Sequence, residues 1–245
     1  MGRISRVKEI IEVAQSEGRT KLLEHEAYEI LRLYEIPVPK AGLAKTSDEA
    51  VKIAKSIGFP VVMKIVSPDI VHKSDVGGVK INIMNEDGVS KTFKEIMNNV
   101  KIKAPNARVA GILVQEMVPQ ALEVIVGATR DPTFGPVLVF GLGGIFVEVL
   151  KDVSFRVAPV TRYDAEMMLQ EIKAAKILDG YRGMPPRDKG ALVDIIVRLS
   201  KLMEDVDDIT DVDLNPIMSF EVGKGAKVAD ARVLIRKREN RDNEQ

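Results

Sequence analysis

One stretch in the first half of the chain constrains the fold more than any other: residues 60–84, with the sequence PVVMKIVSPDIVHKSDVGGVKINIM. An apolar run interrupted only by Lys64 leads into a polar loop, and a second run then alternates apolar residues with others. Alternation at period two is typical of a half-buried strand, so the stretch predicts a β-hairpin. The apolar positions of the second run are Val79, Ile81 and Ile83.

The loop of this hairpin carries residues suited to phosphate chemistry. It contains His72 and the adjacent pair Gly77 and Gly78. Two glycines let a backbone pass close to a ligand and point successive N–H groups at it, as a phosphate chain requires. On these residues alone, a surface hairpin with a solvated tip is an equal alternative.

The composition excludes several classes of function. Lysine plus arginine and aspartate plus glutamate each number 36, so the net charge is zero and no basic excess indicates a nucleic-acid partner. Without cysteine there is no disulfide or thiolate site, and two histidines do not favour a zinc centre. The longest apolar stretch, 135–147, is too short to span a bilayer, and the N-terminus lacks a signal peptide's apolar segment. We therefore expect a cytoplasmic protein without membrane contacts.

Local patterns predict the elements of the first half. We expect a helix within residues 1–19, a second helix capped by Thr20, and a third opened by a capping box of Thr46 and Glu49. The hairpin follows, then a fourth helix with Val89, Phe93, Ile96 and Val100 on its apolar face. A strand at 109–115 completes this half.

The second half adds further strands and helices. Strands are expected at 122–129, 136–140, 153–160, 209–214 and 227–235, and helices at 163–175 and 188–204. The fold class is therefore α+β, with two closely joined lobes at 20–114 and 115–236. A helix at 1–19 precedes them, and a charged tail at 237–245 follows them.

Acidic and amide side chains late in the chain suggest a metal site. In DVDLNP, Asp211, Asp213 and Asn215 lie at alternate positions and so share one face of a strand end. Asp230 follows inside an apolar run, where an unpartnered carboxylate is costly to bury. A neighbouring strand that brings Asn215 beside it, with a cation between them, removes that cost, and magnesium prefers such oxygen ligands. The alternative is a turn-capping asparagine and an ion pair between Asp230 and Arg232.

Three common nucleotide motifs do not match. Residues 141–144, GLGG, fit the dinucleotide fingerprint only loosely, because Phe146 stands where a third glycine or alanine belongs. The Walker-type phosphate loop is absent. The strand lysine in VMK is accompanied by no HRD or DFG tripeptide, which excludes the protein kinases.

Taken together, these features resemble an ATP-grasp domain over residues 20–236. The resemblance rests on Lys64 on a strand, the loop ending GGVK, the segment VQEMV at 114–118, and DxNP followed by Asp230. More narrowly, SPDIVHKSDVGGVKI is similar to the β subunits of ADP-forming acetyl-CoA synthetases, relatives of succinyl-CoA synthetase, since most ATP-grasp enzymes have no histidine in this loop. Asp213 departs from the succinyl-CoA synthetase pattern, which has a glutamate there.

The resemblance implies a nucleotide cleft between the lobes that binds ATP or ADP with Mg²⁺. The implied contacts are Lys64, Gly77 and Gly78 to the phosphates, Gln115, Glu116 and Val118 to adenine, Glu123 to ribose, and Asn215 and Asp230 to magnesium. His72 is the implied phosphohistidine. Asp213 is the candidate that orients its ring, with Asp75 behind it.

The implied reaction converts acyl-CoA, ADP and phosphate to acid, CoA and ATP, as an acid–thiol ligase. No CoA site is recognisable, so the resemblance implies a separate α subunit that binds CoA and carries its own phosphorylated histidine, in an α2β2 assembly. Two other readings stay open: a carboxylate–amine ligase of the ATP-grasp type without phosphohistidine, and a non-catalytic nucleotide-binding regulatory subunit. The acyl group is not specified by these residues.

Overall fold

The computed structural model describes residues 2–144 and 149–238, which form two compact units. The hairpin unit comprises Leu23–His25 and Pro39–Val118. The large-sheet unit comprises the described residues up to Leu22, Glu26–Val38, and the described residues from Pro119 onward. Most of the tail expected at 237–245 lies outside the described residues.

The described elements are helices and antiparallel strands. The helices are α1 (Arg3–Ser16), α2 (Glu24–Leu33), α3 (Ser47–Ile57), α4 (Glu86–Lys103), α5 (Arg162–Glu171) and α6 (Lys189–Asp205), with a 3-10 turn at Ala175–Ile177. The strands are β1 (Ala41–Ala44), β2 (Val61–Val66), β3 (Val79–Ile83), β4 (Gly111–Glu116), β5 (Leu122–Asp131), β6 (Gly135–Leu142), β7 (Val153–Val157), β8 (Ile209–Ser219), β9 (Ala226–Val228) and β10 (Ala231–Ile235). Among the described residues, no helix combines the length and apolar character that a bilayer crossing needs.

The N-terminal residues do not divide where the sequence predicted. Most of residues 20–38 belong to the large-sheet unit rather than to a lobe at 20–114. Thr20 does not cap a helix; its carbonyl accepts a hydrogen bond from the N–H of Ile235, and α2 begins at a later residue. The hydroxyl of Tyr28 donates to the carbonyl of Ala229. These long-range bonds, invisible to local patterns, fix the segment to the second sheet.

The hairpin unit is built on an antiparallel sheet in the order β1-β4-β2-β3. Helices α3 and α4 supply apolar residues at helical spacing to one core with this sheet. The predicted apolar face of α4 is buried, as expected: Val89, Phe93, Ile96 and Val100. In β2, Met63 and Ile65 join the same core, so the alternation of side chains places Lys64 on the opposite face.

The second strand of the hairpin departs from the predicted alternation. Strands β2 and β3 pair as expected, but their register shifts between Val61 and Met63. On β3, Asn82 has a φ of +60°, and Ile81 is 66% exposed while Ile83 is buried. The predicted pairing is confirmed, and the predicted burial of Ile81 is wrong, because a left-handed residue interrupts the period-two pattern.

The start of α3 is close to the predicted capping box. The hydroxyl of Thr46 accepts a hydrogen bond from the N–H of Glu49, as expected for an N-cap. The carboxylate of Glu49, however, accepts from the N–H of Lys45 at 2.7 Å, one residue before the cap. The bond to Thr46 satisfies a backbone donor that the helix itself leaves unpaired.

The large-sheet unit is built on strands in the order β10-β8-β5-β6-β7, with β9 beside β8, and each of these pairings is antiparallel. Helices α5 and α6 pack against this sheet. The residues buried on the packed face include Val124, Val126, Leu138, Phe140 and Leu214. The opposite face carries Gly127 and Asp213, which lie directly across from each other on β5 and β8. Mixed helices and antiparallel sheets confirm the α+β class.

The helix expected at 163–175 ends earlier than predicted. Its last helical residue is Glu171. The buried carboxylate of Asp152 accepts hydrogen bonds from the N–H groups of Lys173 and Ala174, at 2.7 and 2.8 Å. These two donors therefore bond a side chain from a distant loop instead of carbonyls of the helix.

Candidate functional site

A buried carboxylate joins two lysines in the hairpin unit. The Nζ of Lys64, on β2, donates to Oε1 of Glu24 at 2.7 Å, and the Nζ of Lys73 donates to Oε2 of the same carboxylate. The side chain of Glu24 is 5% exposed, that of Lys64 11% and that of Lys73 25%. Two ammonium groups thus meet one largely desolvated carboxylate. Ammonium groups in such surroundings suit an anion, because charge-assisted hydrogen bonds strengthen away from water.

His72 lies in the loop between β2 and β3, exposed to solvent and directly before Lys73. Earlier in the loop, the hydroxyl of Ser67 accepts a hydrogen bond from the N–H of Asp69, which forms a local turn. Later in the loop, the ion pair between Lys73 and Glu24 holds the next residue. The imidazole is therefore presented to solvent between two anchored points, where a ring nitrogen is accessible to a phosphoryl group.

The two carboxylates predicted to orient His72 have different surroundings. Asp75 is exposed, and its carbonyl accepts a hydrogen bond from the Nζ of Lys103 at 3.0 Å. In the part of the chain that the structure describes, no hydrogen bond joins its carboxylate to His72. Asp213 belongs to the large-sheet unit, so its role toward His72 stays a prediction.

The glycine pair allows the tight turn at the end of the loop. The N–H of Gly77 donates to the carbonyl of Ser74 at 2.9 Å, and the N–H of Gly78 donates to that of Lys73 at 2.8 Å. Gly77 has a φ of +66°, and a Cβ on Gly78 would lie 2.4 Å from Cγ2 of Ile65. The glycines are therefore required by a tight turn and a close approach. Both N–H groups are bonded within the loop in this structure, so the contact of these glycines with a phosphate stays a prediction.

The predicted adenine segment is the end of β4. Gln115 is buried, and the N–H of Glu116 donates to the carbonyl of Lys40 at 2.8 Å. The N–H of Met117 donates to the carbonyl of Pro60 at 3.3 Å. An adenine contact by Glu116 would therefore use its carbonyl oxygen, which has two lone pairs. A contact by Val118, which lies beyond the end of the strand, would use its N–H.

On the open face of the large sheet, Asp213 pairs with Arg232. The two residues are register partners on β8 and β10, and Nη2 of the arginine lies 3.5 Å from Oδ2 of the aspartate. Burial raises the pKa of the Asp213 carboxyl, and the attraction of Arg232 offsets this only in part. On its other side lies Gly127, which contributes no side chain. The alternative pairing of Arg232 with Asp230 is thus replaced by one with Asp213.

Asn215 and Asp230 lie side by side. The N–H of Asn215 donates to the carbonyl of Asp230 at 3.2 Å, and the N–H of Ala229 donates to that of Pro216 at 2.8 Å. Asp230 lies between β9 and β10, so the prediction of one strand through it is wrong.

The two residue types suit a partial magnesium ligand set, and that role stays a prediction. Within residues 2–144 and 149–238, no group of three or more histidines and carboxylates is arranged to hold a metal. Magnesium usually takes one or two protein carboxylates and completes its shell with phosphate and water oxygens. An aspartate beside an asparagine at a loop is consistent with that chemistry, with a nucleotide supplying further oxygens.

Glu123, the predicted ribose contact, is the second residue of β5. Its side chain is exposed, and its carbonyl accepts a hydrogen bond from the N–H of Gly143 at 2.8 Å. A Cβ on Gly143 would lie 2.9 Å from the Cβ of Glu123, so the glycine at this position allows the close approach. An exposed carboxylate can accept charge-assisted bonds from hydroxyl groups, as the ribose role requires.

Sequence reasoning missed Glu24 and Lys73. Glu24 lies 40 residues before Lys64, at the start of a helix where an acidic residue needs no explanation beyond the helix dipole. Lys73 stands in a polar loop beside the more conspicuous His72. No local sequence pattern links Glu24, Lys64 and Lys73, which are brought together only by the fold.

Comparison with known proteins places these features in context. A family model described as an ATP-grasp domain matches residues 13–235. Acetate–CoA ligase (ADP-forming) I subunit beta from Pyrococcus furiosus is 52% identical over 235 residues, which cover 96% of this chain and 100% of that protein. The 4-hydroxybutyrate–CoA ligase (ADP-forming) of Nitrosopumilus maritimus is 47% identical over 94% of this chain, which spans 33% of that longer protein.

Solved structures agree with these relatives. A Candidatus Korarchaeum cryptofilum acetyl-coenzyme A synthetase, in complex with coenzyme A, Ca-AMPCP and HgCl+, superimposes with a TM-score of 0.89 at 50% identity, covering 94% of this chain and 99% of that one. Another structure of that enzyme, with Mg-AMPPCP, is described as having its phosphohistidine segment pointing towards the nucleotide site, and it gives a TM-score of 0.83 at 46% identity, over 94% of this chain and 100% of that one. Both structures match this chain over 94% of its length.

Proposed function

Because this chain belongs to the ATP-grasp family, and within it to the β subunits of ADP-forming acetate–CoA ligases, we propose that it is the nucleotide-binding, phosphoryl-transferring subunit of such an enzyme. The reaction is the reversible conversion of acyl-CoA, ADP and phosphate to the free acid, CoA and ATP. ADP and CoA are metabolites of the cytoplasm, where we place the reaction.

The observation that carries the proposal is an exposed histidine, His72, on the same hairpin as Lys64. A neutral ring nitrogen attacks the γ-phosphoryl of ATP, the bond to the β-phosphate oxygen breaks, and ADP leaves. In the reverse direction, a β-phosphate oxygen of ADP takes the phosphoryl group back from the phosphoramidate. The histidine needs no general base beyond a carboxylate to hold its other nitrogen, for which Asp213 and Asp75 are the candidates.

The remaining residues bind and orient the nucleotide. We assign the phosphates to Lys64 and the loop at Gly77 and Gly78, adenine to the end of β4 at Gln115, Glu116 and Val118, and the ribose hydroxyls to Glu123. Asn215 and Asp230 would hold magnesium, which when bound neutralises phosphate charge. Phosphoryl transfer asks a protein mainly for such positioning and neutralisation.

The proposal also requires a partner that binds CoA. Supporting it, the full-length relatives are named as β subunits, and other relatives contain the matched region as about a third of a longer chain. We propose a separate α subunit that carries its own phosphorylated histidine and passes the group to His72, in an α2β2 assembly.

Labelling from γ-labelled ATP tests this function. We expect acid-labile, base-stable label on the wild-type chain and none on His72→Asn, which keeps the size and a hydrogen-bonding side chain but has no nucleophilic ring nitrogen. The variant should bind ADP like the wild type. Label on His72→Asn would move the relay to another residue, and no label on either protein would favour a carboxylate–amine ligase or a regulatory subunit.

A further inference from the structure

The loop that carries His72 is attached to the end of α4 at two points after the histidine. The Nζ of Lys103 donates to the carbonyl of Asp75 at 3.0 Å, and the Nδ2 of Asn99 donates to the carbonyl of Gly77 at 3.4 Å. Resting on the proposed phosphohistidine role of His72, we propose that Lys103 and Asn99 are positioning residues for its phosphorylation. They act through the backbone of the loop, without contact with the nucleotide.

The two residues share one face of a helix that the core holds in place. They are four positions apart, so their side chains lie one above the other on α4. Other positions of the helix, among them Ile96 and Val100, are buried in the core of the hairpin unit. A helix fixed in this way is a rigid support, and its two donors hold the loop relative to the sheet.

A glycine lets the loop come close enough to α4 for these bonds. Gly77 has a φ of +66°, and a Cβ at this residue would lie 2.8 Å from Nδ2 of Asn99. Any larger residue would therefore push the loop and the helix apart. The positive φ and the close approach both favour glycine here, so this glycine also serves the attachment of the loop to the helix.

The loop is also anchored before the histidine. The carboxylate of Asp69 accepts hydrogen bonds from the backbone N–H and the guanidinium of Arg108, and Ile70 is buried in the core. His72 lies between this anchor and the carbonyls bonded to α4. Reacting atoms must be held roughly 3–3.5 Å apart, and a misplacement of about 1 Å can cost a hundredfold in rate. Loss of the attachments after His72 should therefore slow phosphorylation more than it weakens nucleotide binding.

The competing explanation is that Lys103 only stabilises the C-terminal end of α4. A lysine in the last turn interacts favourably with the helix dipole, whatever else it contacts. Lys101 lies in the same last turn and is also exposed, but within the part of the chain that the structure describes no hydrogen bond or ion pair joins it to the loop. Lys101→Met thus removes the dipole interaction alone, whereas Lys103→Met removes it together with the bond to Asp75. Methionine and lysine have similar helix propensities.

The experiment separates the rate of phosphorylation from the affinity for nucleotide. Rapid-quench measurement of label uptake from saturating γ-labelled Mg-ATP gives the rate, and calorimetry with Mg-AMPPCP gives the affinity. Both use the full-length protein, purified with any subunit that accompanies it. We expect Lys103→Met to slow label uptake about fivefold and Asn99→Ala/Lys103→Met about tenfold, with affinities within about twofold of the wild type. Lys103→Arg can still donate to the carbonyl and should keep about half of the wild-type rate or more.

Lys101→Met is the matched control, and its rate should stay within about twofold of the wild type. Three outcomes would overturn the inference: wild-type rates in Lys103→Met and the double variant, equal slowing by Lys101→Met and Lys103→Met, or a loss of affinity as large as the loss of rate. The wild type tests the proposed function separately. If it takes up no label on His72, the function fails; if it does and the double variant matches it, only the inference fails.

Discussion

Two carboxylates, one in each unit, have opposite surroundings. In the hairpin unit, the carboxylate of Glu24 is 5% exposed and has two lysine partners. In the large-sheet unit, the carboxylate of Asp213 is 41% exposed, with one arginine at 3.5 Å. A buried group with two partners is part of the fold, because removing it leaves charges without water or partner. A half-exposed group with one long contact contributes little to stability and is available for chemistry.

The largest expected effect tests the buried side of this comparison. Glu24→Ala should lower the free energy of unfolding by about 3 kcal/mol, because it leaves two ammonium groups together without their carboxylate. Urea denaturation followed by circular dichroism measures it. Glu95→Ala is the control: it removes an exposed partner of Lys80, and its effect should be below about 0.5 kcal/mol. Equal effects of the two substitutions would break the comparison.

The next effect tests the candidate magnesium site of the large-sheet unit. Asp230→Ala should weaken magnesium-dependent ADP binding roughly thirtyfold, as loss of a group at a metal site commonly does, and leave stability nearly unchanged. Titration of ADP with and without Mg²⁺ measures the difference. Full affinity and turnover in this variant would mean that Asp230 has only a structural role.

The smallest effect is a pH dependence. Burial places the folded-state pKa of Asp213 above its ordinary value of 3.8, despite Arg232, so the folded state binds the proton more tightly than the unfolded state. Stability from this group is therefore lost as pH rises from about 3.8 through the raised pKa. Asp213→Asn should remove that loss and be relatively more stable at pH 7 than at pH 3, by less than about 1 kcal/mol because solvent screens a half-exposed group. Melting temperatures between pH 3 and 7 measure it.

An aspartate of the hairpin unit provides the opposite sign. Arg108 lowers the pKa of Asp69 to about 2 through a bidentate ion pair and a backbone N–H. This group stabilises the fold above pH 3.8, and that contribution is lost as pH falls toward 2. Asp69→Asn should therefore reduce acid sensitivity where Asp213→Asn does not. If the melting temperatures of the two variants, each relative to the wild type, change with pH in the same direction, the pKa assignments are contradicted.

The features that were predicted correctly from the sequence are mainly those that local interactions determine. The apolar face of α4 and the cap at Thr46 follow from helical spacing and a side-chain oxygen near a helix start, so both were visible in the sequence. The pairing of β2 with β3 was equally visible, since a short polar loop joins two apolar runs. The adjacency of Asn215 and Asp230 also followed, from the cost of burying a carboxylate alone.

Long-range contacts account for what was missed. Thr20 resembles an N-cap, but its carbonyl bonds Ile235 at the far end of the chain. Arg232 stands two residues from Asp230, yet the register of β10 on β8 places it across from Asp213. The Lys64–Glu24–Lys73 cluster joins residues from a helix, a strand and a loop, so no window of sequence contains it. The glycine pair was recognised, but the hydrogen bonds of its turn were not visible in the sequence.

The kink at Asn82 also affects how molecules of this protein meet one another. Strand β3 lies at the edge of its sheet, with β2 as its neighbour in the sheet order, and Ile81 adds apolar surface there. A straight edge strand of this kind can template pairing with a second chain and start an aggregate. The left-handed residue and the shifted register twist the edge away from that geometry. A hairpin whose loop must stay open to solvent thereby remains a poor starting point for intermolecular β-sheets in a crowded cell.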